Sequence, residues 1–257
     1  MLTQNQIKYY SSLLHKKYRQ EYKKFLVEGS VLINEALNWN YNCEVIITST
    51  LYSEKNNSEI QNLLRKGLKV EVVRQNQFEK LCDTKSPQGI VGVFQLRNKE
   101  FKIENVTKEK FIVALENISD PGNLGTIIRN CDWFGVKNIL LSPDCAEIYN
   151  PKVIRASAGS VFHIDIYELN NFYEILKVIK NYGYIILCTD LKGINIYEYK
   201  LKNNSVIVFS NEANGPTENL QHISDQKITI PRFGNAESLN VASASAVVLS
   251  EISKKYL

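Results

Sequence analysis

The sequence predicts an α/β protein in two parts: a small N-terminal α/β sandwich and a C-terminal, mostly parallel sheet with helices on both faces. Three observations predict it. Short β-branched and aliphatic runs alternate with helical patterns along the chain. From residue 110 onward the gaps between these runs are long enough for crossover helices, which parallel strand pairing requires. Between the parts, Arg97-Asn98-Lys99-Glu100-Phe101-Lys102-Ile103-Glu104-Asn105 is charged and poor in large aliphatics, the composition of a linker. The expected organisation is residues 1–96, a linker over 97–109, and residues 110–257. At 257 residues the chain has ample material for two buried cores.

The front part reads as a polar helix over about residues 3–24, a helix near 30–38 and the strand Cys43-Glu44-Val45-Ile46-Ile47-Thr48. A helix near 57–66, the strand Leu68 to Val73, a helix near 76–82 and the strand Ile90 to Phe94 follow. The back part offers strands at Phe111 to Leu115, Asn138 to Leu141, Phe162 to Ile166, Tyr184 to Cys188, Val206 to Phe209 and Lys227 to Ile230. In such a sheet ligands bind beyond the carboxyl ends of the strands.

Composition narrows the function classes. Hydrophobic content of 44% and charged content of 23% are ordinary globular values, and no apolar run approaches the roughly 20 residues that cross a bilayer. No basic segment leads into an apolar one at the N-terminus, so a cytoplasmic location is expected. The five cysteines stand at least fourteen positions apart with no C-x-x-C, which reads as reduced, packed thiols. His15, His163 and His222 are isolated from other ligand types, so no metal site is expected. Neither G-x-G nor G-x-x-x-x-G-K-[ST] occurs, which excludes the dinucleotide-binding turn and the P-loop.

Charge is asymmetric. Residues 1–98 carry fourteen Lys/Arg against nine Asp/Glu, a net of +5, and the remainder carries −1. The excess is densest from His15 to Lys24, where Lys16, Lys17, Arg19, Lys23 and Lys24 share ten residues with Tyr18 and Tyr22. Such a mixture suits phosphates and stacked bases, and these five residues are candidate RNA contacts.

Three polar clusters lie at or near strand ends. The first is Glu116-Asn117-Ile118-Ser119-Asp120-Pro121-Gly122-Asn123, a turn that runs into a helix carrying Arg129. The second is Ser210-Asn211-Glu212-Ala213-Asn214-Gly215-Pro216-Thr217. The third, Pro231-Arg232-Phe233-Gly234-Asn235-Ala236-Glu237-Ser238-Leu239-Asn240-Val241, opens a last helix whose small residues Ala242 to Ala246 allow close backbone approach.

In this order and spacing the clusters resemble the SpoU (TrmH) class of the SPOUT methyltransferases, RNA ribose 2′-O-methyltransferases that use S-adenosyl-L-methionine. The matching positions are Asn117, Asp120, Pro121, Asn123, Gly125 and Arg129; Asn211, Glu212 and Gly215; and Ile230, Pro231, Gly234, Ser238, Leu239, Asn240 and Val241. The stretch Asn150 to Ser160 is similar as well. The front part looks like the ribosomal-protein-like RNA-binding domain of rRNA-modifying members.

The resemblance implies a deep C-terminal trefoil knot, an exception to the rule that chains do not thread loops. It implies a homodimer. It assigns cofactor binding to Thr189, Asp190, Ser210, Asn211, Glu212, Gly215, Ile230, Pro231, Ser238, Leu239 and Asn240, mainly through backbone groups. Catalytic roles fall to Arg129, Asn123, Glu212, Ser238 and Asn240. Since a guanidinium rarely releases its proton, Arg129 is expected to hold the target phosphate and stabilise the developing alkoxide, with the proton leaving through phosphate, water or Glu212. One departure is Arg232, where the class usually has methionine. The expected substrate is 23S rRNA, with tRNA, a base-directed reaction and a non-catalytic RNA-binding scaffold as the alternatives.

Overall fold

The computed structural model describes residues 2–97, 99–201, 204–211 and 215–255. The chain divides into two compact units, Met1–Asn98 with Tyr149–Phe162, and Lys99–Ile148 with His163–Leu257.

The first unit begins with α1 (Gln4–Ser12), which Thr3 and Gln6 start through a capping box, and α2 (Lys16–Tyr22). The strand β1 (Lys24–Glu28) follows at once, then α3 (Ser30–Asn38), β2 (Cys43–Ser49), α4 (Thr50–Lys55), α5 (Asn57–Arg65), β3 (Val70–Val73), α6 (Gln75–Phe78) with a 3-10 turn at Glu79–Leu81, and β4 (Ile90–Gln95). The expected single helix over 3–24 is thus two helices and the start of a strand. No Gly or Pro marks either break, and Lys23 ends α2 in the left-handed region at φ 53°. The four strands form one mixed sheet in the order β1-β4-β2-β3, with only β2 and β3 parallel.

One face of this sheet packs Leu26, Val45, Ile47, Val91 and Val93 under Ile7, Tyr10 and Leu13 of the N-terminal segment. An aromatic group built on Phe25 takes in Tyr149 at 4.4 Å between ring centroids, and Phe162 stacks edge-on to Tyr41 at 5.0 Å. Residues 149–162, which follow the back part's second strand in sequence, therefore complete the core of the first unit. Arg155 strengthens the attachment by donating to Asp83 at 2.6 Å.

The second unit starts inside the expected linker. A short α7 (Ile103–Val106) buries Val106 in the core, with Phe101 and Ile103 packed beside it. Then come β5 (Phe111–Glu116), α8 (Pro121–Trp133) and β6 (Asn138–Leu141). After α9 (Pro151–Ala156), which belongs to the first unit, the chain makes β7 (Asp165–Glu168), α10 (Phe172–Asn181), β8 (Ile185–Asn195), β9 (Ser205–Ser210), α11 (Glu218–Ile223), β10 (Gln226–Thr229) and α12 (Val241–Lys254).

All six strands are parallel, in the order β10-β8-β9-β5-β6-β7. Ile112 and Ala114 face the core shared with α10 and α11, while the alternate residues Val113 and Leu115 are equally buried on the side of α8 and α12. Against β10, β8 pairs Cys188 with Lys227 and then Ile194 with Ile228. Residues 189–193 are therefore looped out of the sheet between successive partners. Gly193 closes that loop where a Cβ would lie 2.7 Å from the Lys227 backbone, so only glycine fits.

In the first unit Arg19 is 2% exposed and donates to the carbonyls of Leu13 and Leu14, both at 2.8 Å, which fixes the turn between α1 and α2. Removing its guanidinium leaves buried carbonyls without donors, at about 1–3 kcal/mol. Arg19→Ala is predicted to lower the stability of the first unit by that amount in urea unfolding, whereas Lys16→Ala, at an exposed site, changes it by under about 0.5 kcal/mol.

Candidate active site

At the carboxyl ends of β9 and β10, beside the excursion in the middle of β8, a cavity of about 670 Å³ opens within the second unit. Four segments wall it. The looped-out residues contribute Thr189, Asp190 and Leu191; the end of β9 contributes Ser210, Asn211, Gly215 and Pro216. Ile230 and Pro231 follow β10, and Ser238 and Leu239 precede α12. These include nine of the eleven residues expected to bind cofactor. Glu212 lies outside the described residues. Asn240 does not line the cavity, and its side chain is used elsewhere.

Each wall is held by its own hydrogen bonds. Thr189 Oγ1 donates to the Val208 carbonyl at 3.1 Å, tying the loop to β9. Lys227 pairs with Asp190 at 2.7 Å. Burial disfavours the Asp190 carboxylate, but hydrogen bonds from Lys227 and from the Lys192 and Leu191 backbone outweigh it and hold the carboxyl below the ordinary aspartate value. Thr229 Oγ1 donates to the Leu191 carbonyl at 3.2 Å. Asn211 Nδ2 donates to the Asn117 carbonyl at 3.2 Å, and the turn closes with Gly215 N donating to the Asn211 carbonyl at 2.9 Å. Gly215 adopts φ +63°, a region a β-branched side chain enters only with strain.

Beneath this turn sits Glu116, fully buried at the end of β5. Its carboxylate accepts from Ser210 Oγ at 2.9 Å, Thr217 N at 3.1 Å, Thr217 Oγ1 at 2.6 Å and Tyr173 Oη at 2.7 Å. Burial raises the Tyr173 phenol above its usual value and keeps it a donor. The first polar cluster began at Glu116, but the pattern carried no signal that a carboxylate there would be buried.

The first and third clusters meet. Asp120 caps α8 by accepting from Asn123 N at 2.8 Å, and Asn240 caps α12 by accepting from Ala242 N at 3.0 Å. The two capped ends join side chain to side chain, with Asn240 Nδ2 donating to Asn123 Oδ1 at 3.0 Å. Two turns on, Asn130 Nδ2 donates to the Ala242 carbonyl at 2.8 Å and to Ser245 Oγ at 2.9 Å. The small residues of α12 permit that approach. Arg129 is exposed on α8, outside the cavity lining, and its guanidinium makes no hydrogen bond or ion pair with the described residues.

Several cavity residues were not among those expected to bind cofactor, among them Gln221, Ile228, Phe233, Ala244 and Val248. Arg232 lines the wall and donates to the Ala236 carbonyl at 3.2 Å, so it stiffens the loop where methionine is usual. Among the described residues no group of three or more His, Cys, Asp or Glu is placed to hold a metal, and no helix is long and apolar enough to cross a membrane.

The basic run divides. Lys16, Lys17 and Lys23 are exposed. Arg19 is corrected from RNA contact to structural residue, because its guanidinium is buried on two carbonyls. Lys24 is half-buried: its ammonium pairs with Glu44 at 2.5 Å and donates to Tyr9 Oη at 3.1 Å. Burial works against the charge on Lys24, but the bonds to Glu44 and Tyr9 prevail and raise it above the ordinary lysine value.

Comparison with known proteins places this geometry. Residues 4–92 match the MRM3-like substrate binding domain. The 23S rRNA (guanosine(2553)-2′-O)-methyltransferase RlmP of Bacillus subtilis is 29% identical over 95% of this chain and 94% of its own. A TrmH-family protein from Porphyromonas gingivalis superposes with a TM-score of 0.83 at 30% identity, covering 98% of both chains. An AdoMet-bound rRNA methyltransferase from Sinorhizobium meliloti superposes with a TM-score of 0.85 at 27% identity, covering 100% of this chain and 97% of that one. Residues 110–250, spanning every wall of the cavity, match the SpoU rRNA Methylase family, and the chain belongs to that family.

Proposed function

We propose that this protein transfers a methyl group from S-adenosyl-L-methionine to a ribose 2′-hydroxyl of 23S rRNA. The observation that carries the reading is the cavity: strand-end turns, small residues and main-chain walls enclose about 670 Å³, a volume suited to a ligand of this size. The fit is chemical as well, since Gly215 lines the cavity at a positive φ and leaves open space where a side chain would intrude or strain. The relatives named for 23S rRNA and the AdoMet-bound neighbour support it. The relative named for 23S rRNA aligns over 95% of this chain, the N-terminal unit included, and supports ribosomal RNA over tRNA.

When bound, the cofactor supplies an electrophilic sulfonium methyl. The chain's own task is to present a weakly acidic sugar hydroxyl in line with it and to stabilise the charge that develops on that oxygen. Thr189, Asp190, Ser210, Asn211, Gly215, Ile230, Pro231, Ser238 and Leu239 hold the cofactor. The Asn123–Asn240 pair, at the junction of the two helix starts, orients the nucleotide. Arg129 grips the target phosphate and stabilises the oxyanion, a contribution of about 2.7–4 kcal/mol, and the hydroxyl proton leaves through phosphate, water or Glu212. Lys16, Lys17 and Lys23 add sequence-independent attraction for RNA.

The same reading includes a trefoil knot in the second unit, a homodimer and a cytoplasmic location with the ribosomal substrate.

Mass mapping of nuclease-resistant dinucleotides from 23S rRNA treated with the protein and cofactor should reveal one 2′-O-methylated nucleotide, and unmodified RNA overturns the assignment. Arg129→Ala should leave adenosylhomocysteine affinity within about twofold by calorimetry while lowering kcat/KM by about 10²–10³-fold. Gly215→Val should instead abolish cofactor binding while the protein stays folded by circular dichroism. Reversing Lys16, Lys17 and Lys23 to Glu should reduce the slope of log affinity against log salt by about 0.7–0.9 for each phosphate that is no longer neutralised, with cofactor affinity unchanged.

A further inference from the structure

A turn that must hold a ligand mainly through its backbone needs something other than the ligand to fix its shape. Ser210, Asn211, Gly215 and Pro216 line the cavity, and Ser210 and Thr217, on either side of them, converge on one buried side chain. Ser210 Oγ reaches Glu116 Oε2 at 2.9 Å from the start of the turn, and Thr217 N reaches the same oxygen at 3.1 Å from its end. Thr217 Oγ1 and Tyr173 Oη donate to the other oxygen, Oε1, at 2.6 and 2.7 Å. The residue after β5 continues the pattern, because the Asn117 carbonyl accepts from Asn211. Glu116 itself is 0% exposed and is not among the residues that line the cavity.

We infer that Glu116 is a positioning residue for cofactor binding, clamping Ser210 and Thr217 so that Asn211, Gly215 and Pro216 keep their places in the cavity wall. The inference rests on the assignment of the cavity to the cofactor. The clamp acts before the ligand arrives. A carboxylate with two oxygens can collect donors from both ends of the turn at once, whereas an amide at the same place turns its NH₂ toward at least one donor. Part of the ordering cost of the turn is then met in folding, and binding is tighter for it.

The clamp predicts a split between affinity and turnover. In Glu116→Gln the adenosylhomocysteine dissociation constant and the KM for S-adenosyl-L-methionine should rise at least about tenfold, with kcat at saturating cofactor within about threefold of the native value. Tyr173→Phe removes one donor from α10, away from the cavity, and should raise the same KM about two- to fivefold. Thr217→Val should reproduce the Glu116→Gln effect and Thr217→Ser should restore native affinity. The double variant Glu116→Gln/Thr217→Val should be no worse than the weaker-binding single one, because both remove the same clamp. Native affinity in Glu116→Gln, or a loss of kcat with KM unchanged, overturns the inference. If Glu116→Gln does not fold, the Thr217 pair decides: weak binding in the valine variant with rescue by serine supports the clamp, and native binding by the valine variant refutes it. Absence of adenosylhomocysteine binding by the unaltered protein is a different result, because it removes the cofactor assignment itself.

Discussion

Taking a carboxylate out of water costs several kcal/mol unless donors replace the lost hydration. At the end of β5 that replacement is complete: Glu116 is fully buried under four donors from the end of β9, the start of α11 and α10. The arrangement makes three separate segments interdependent, since moving any one leaves a buried charge short of a partner. The cavity beyond depends on it. Parallel strands end at a common edge, and the turns that leave that edge have no ladder of their own to stiffen them.

A second constraint acts on the opposite wall. The parallel ladder between β8 and β10 is interrupted so that residues 189–193 leave the sheet, and the strand then rejoins the same partner. Sheet pairing on both sides of the excursion holds the loop at its base. The Asp190–Lys227 pair and the Thr229 hydroxyl hold it along its length. A ligand therefore meets a wall of nearly preset main chain. Glycine at 193 follows from that packing, and glycine at 215 from the positive φ of its turn.

The helices set the other half of the site. Asn123 and Asn240 each sit at a helix start, and their side chains join α8 to α12 where the first and third clusters meet. Such a junction serves two purposes at once: it satisfies polar groups at the helix ends, and it places the α8 face that carries Arg129 relative to the cavity wall that follows Leu239. Asn240 caps α12 and contacts Asn123, although the family resemblance assigned it a direct role in the wall.

Local periodicity was enough to read the parallel character of the back sheet, and the strand at Asn138–Leu141 needed no correction. The three polar clusters, by residue type and order, pointed to the chemistry of the family before any contact was known. Other features were out of reach because they depend on partners far away in sequence. β1 hid behind a basic helical pattern, since the left-handed residue that separates them is a lysine and not a glycine. Arg19 and Lys24 looked like the solvent-facing charges around them until Leu13, Leu14 and Glu44 were brought against them. Residues 149–162 read as part of the back half by adjacency, yet Tyr149 and Phe162 bury their rings with Phe25 and Tyr41. The sequence alone determined the parallel strands of the back sheet and which chemistry their ends carry, because both are written in neighbouring residues. Only the tertiary structure decided which polar groups are buried and on what, because Glu116 meets Ser210 and Thr217 across 94 and 101 residues of chain.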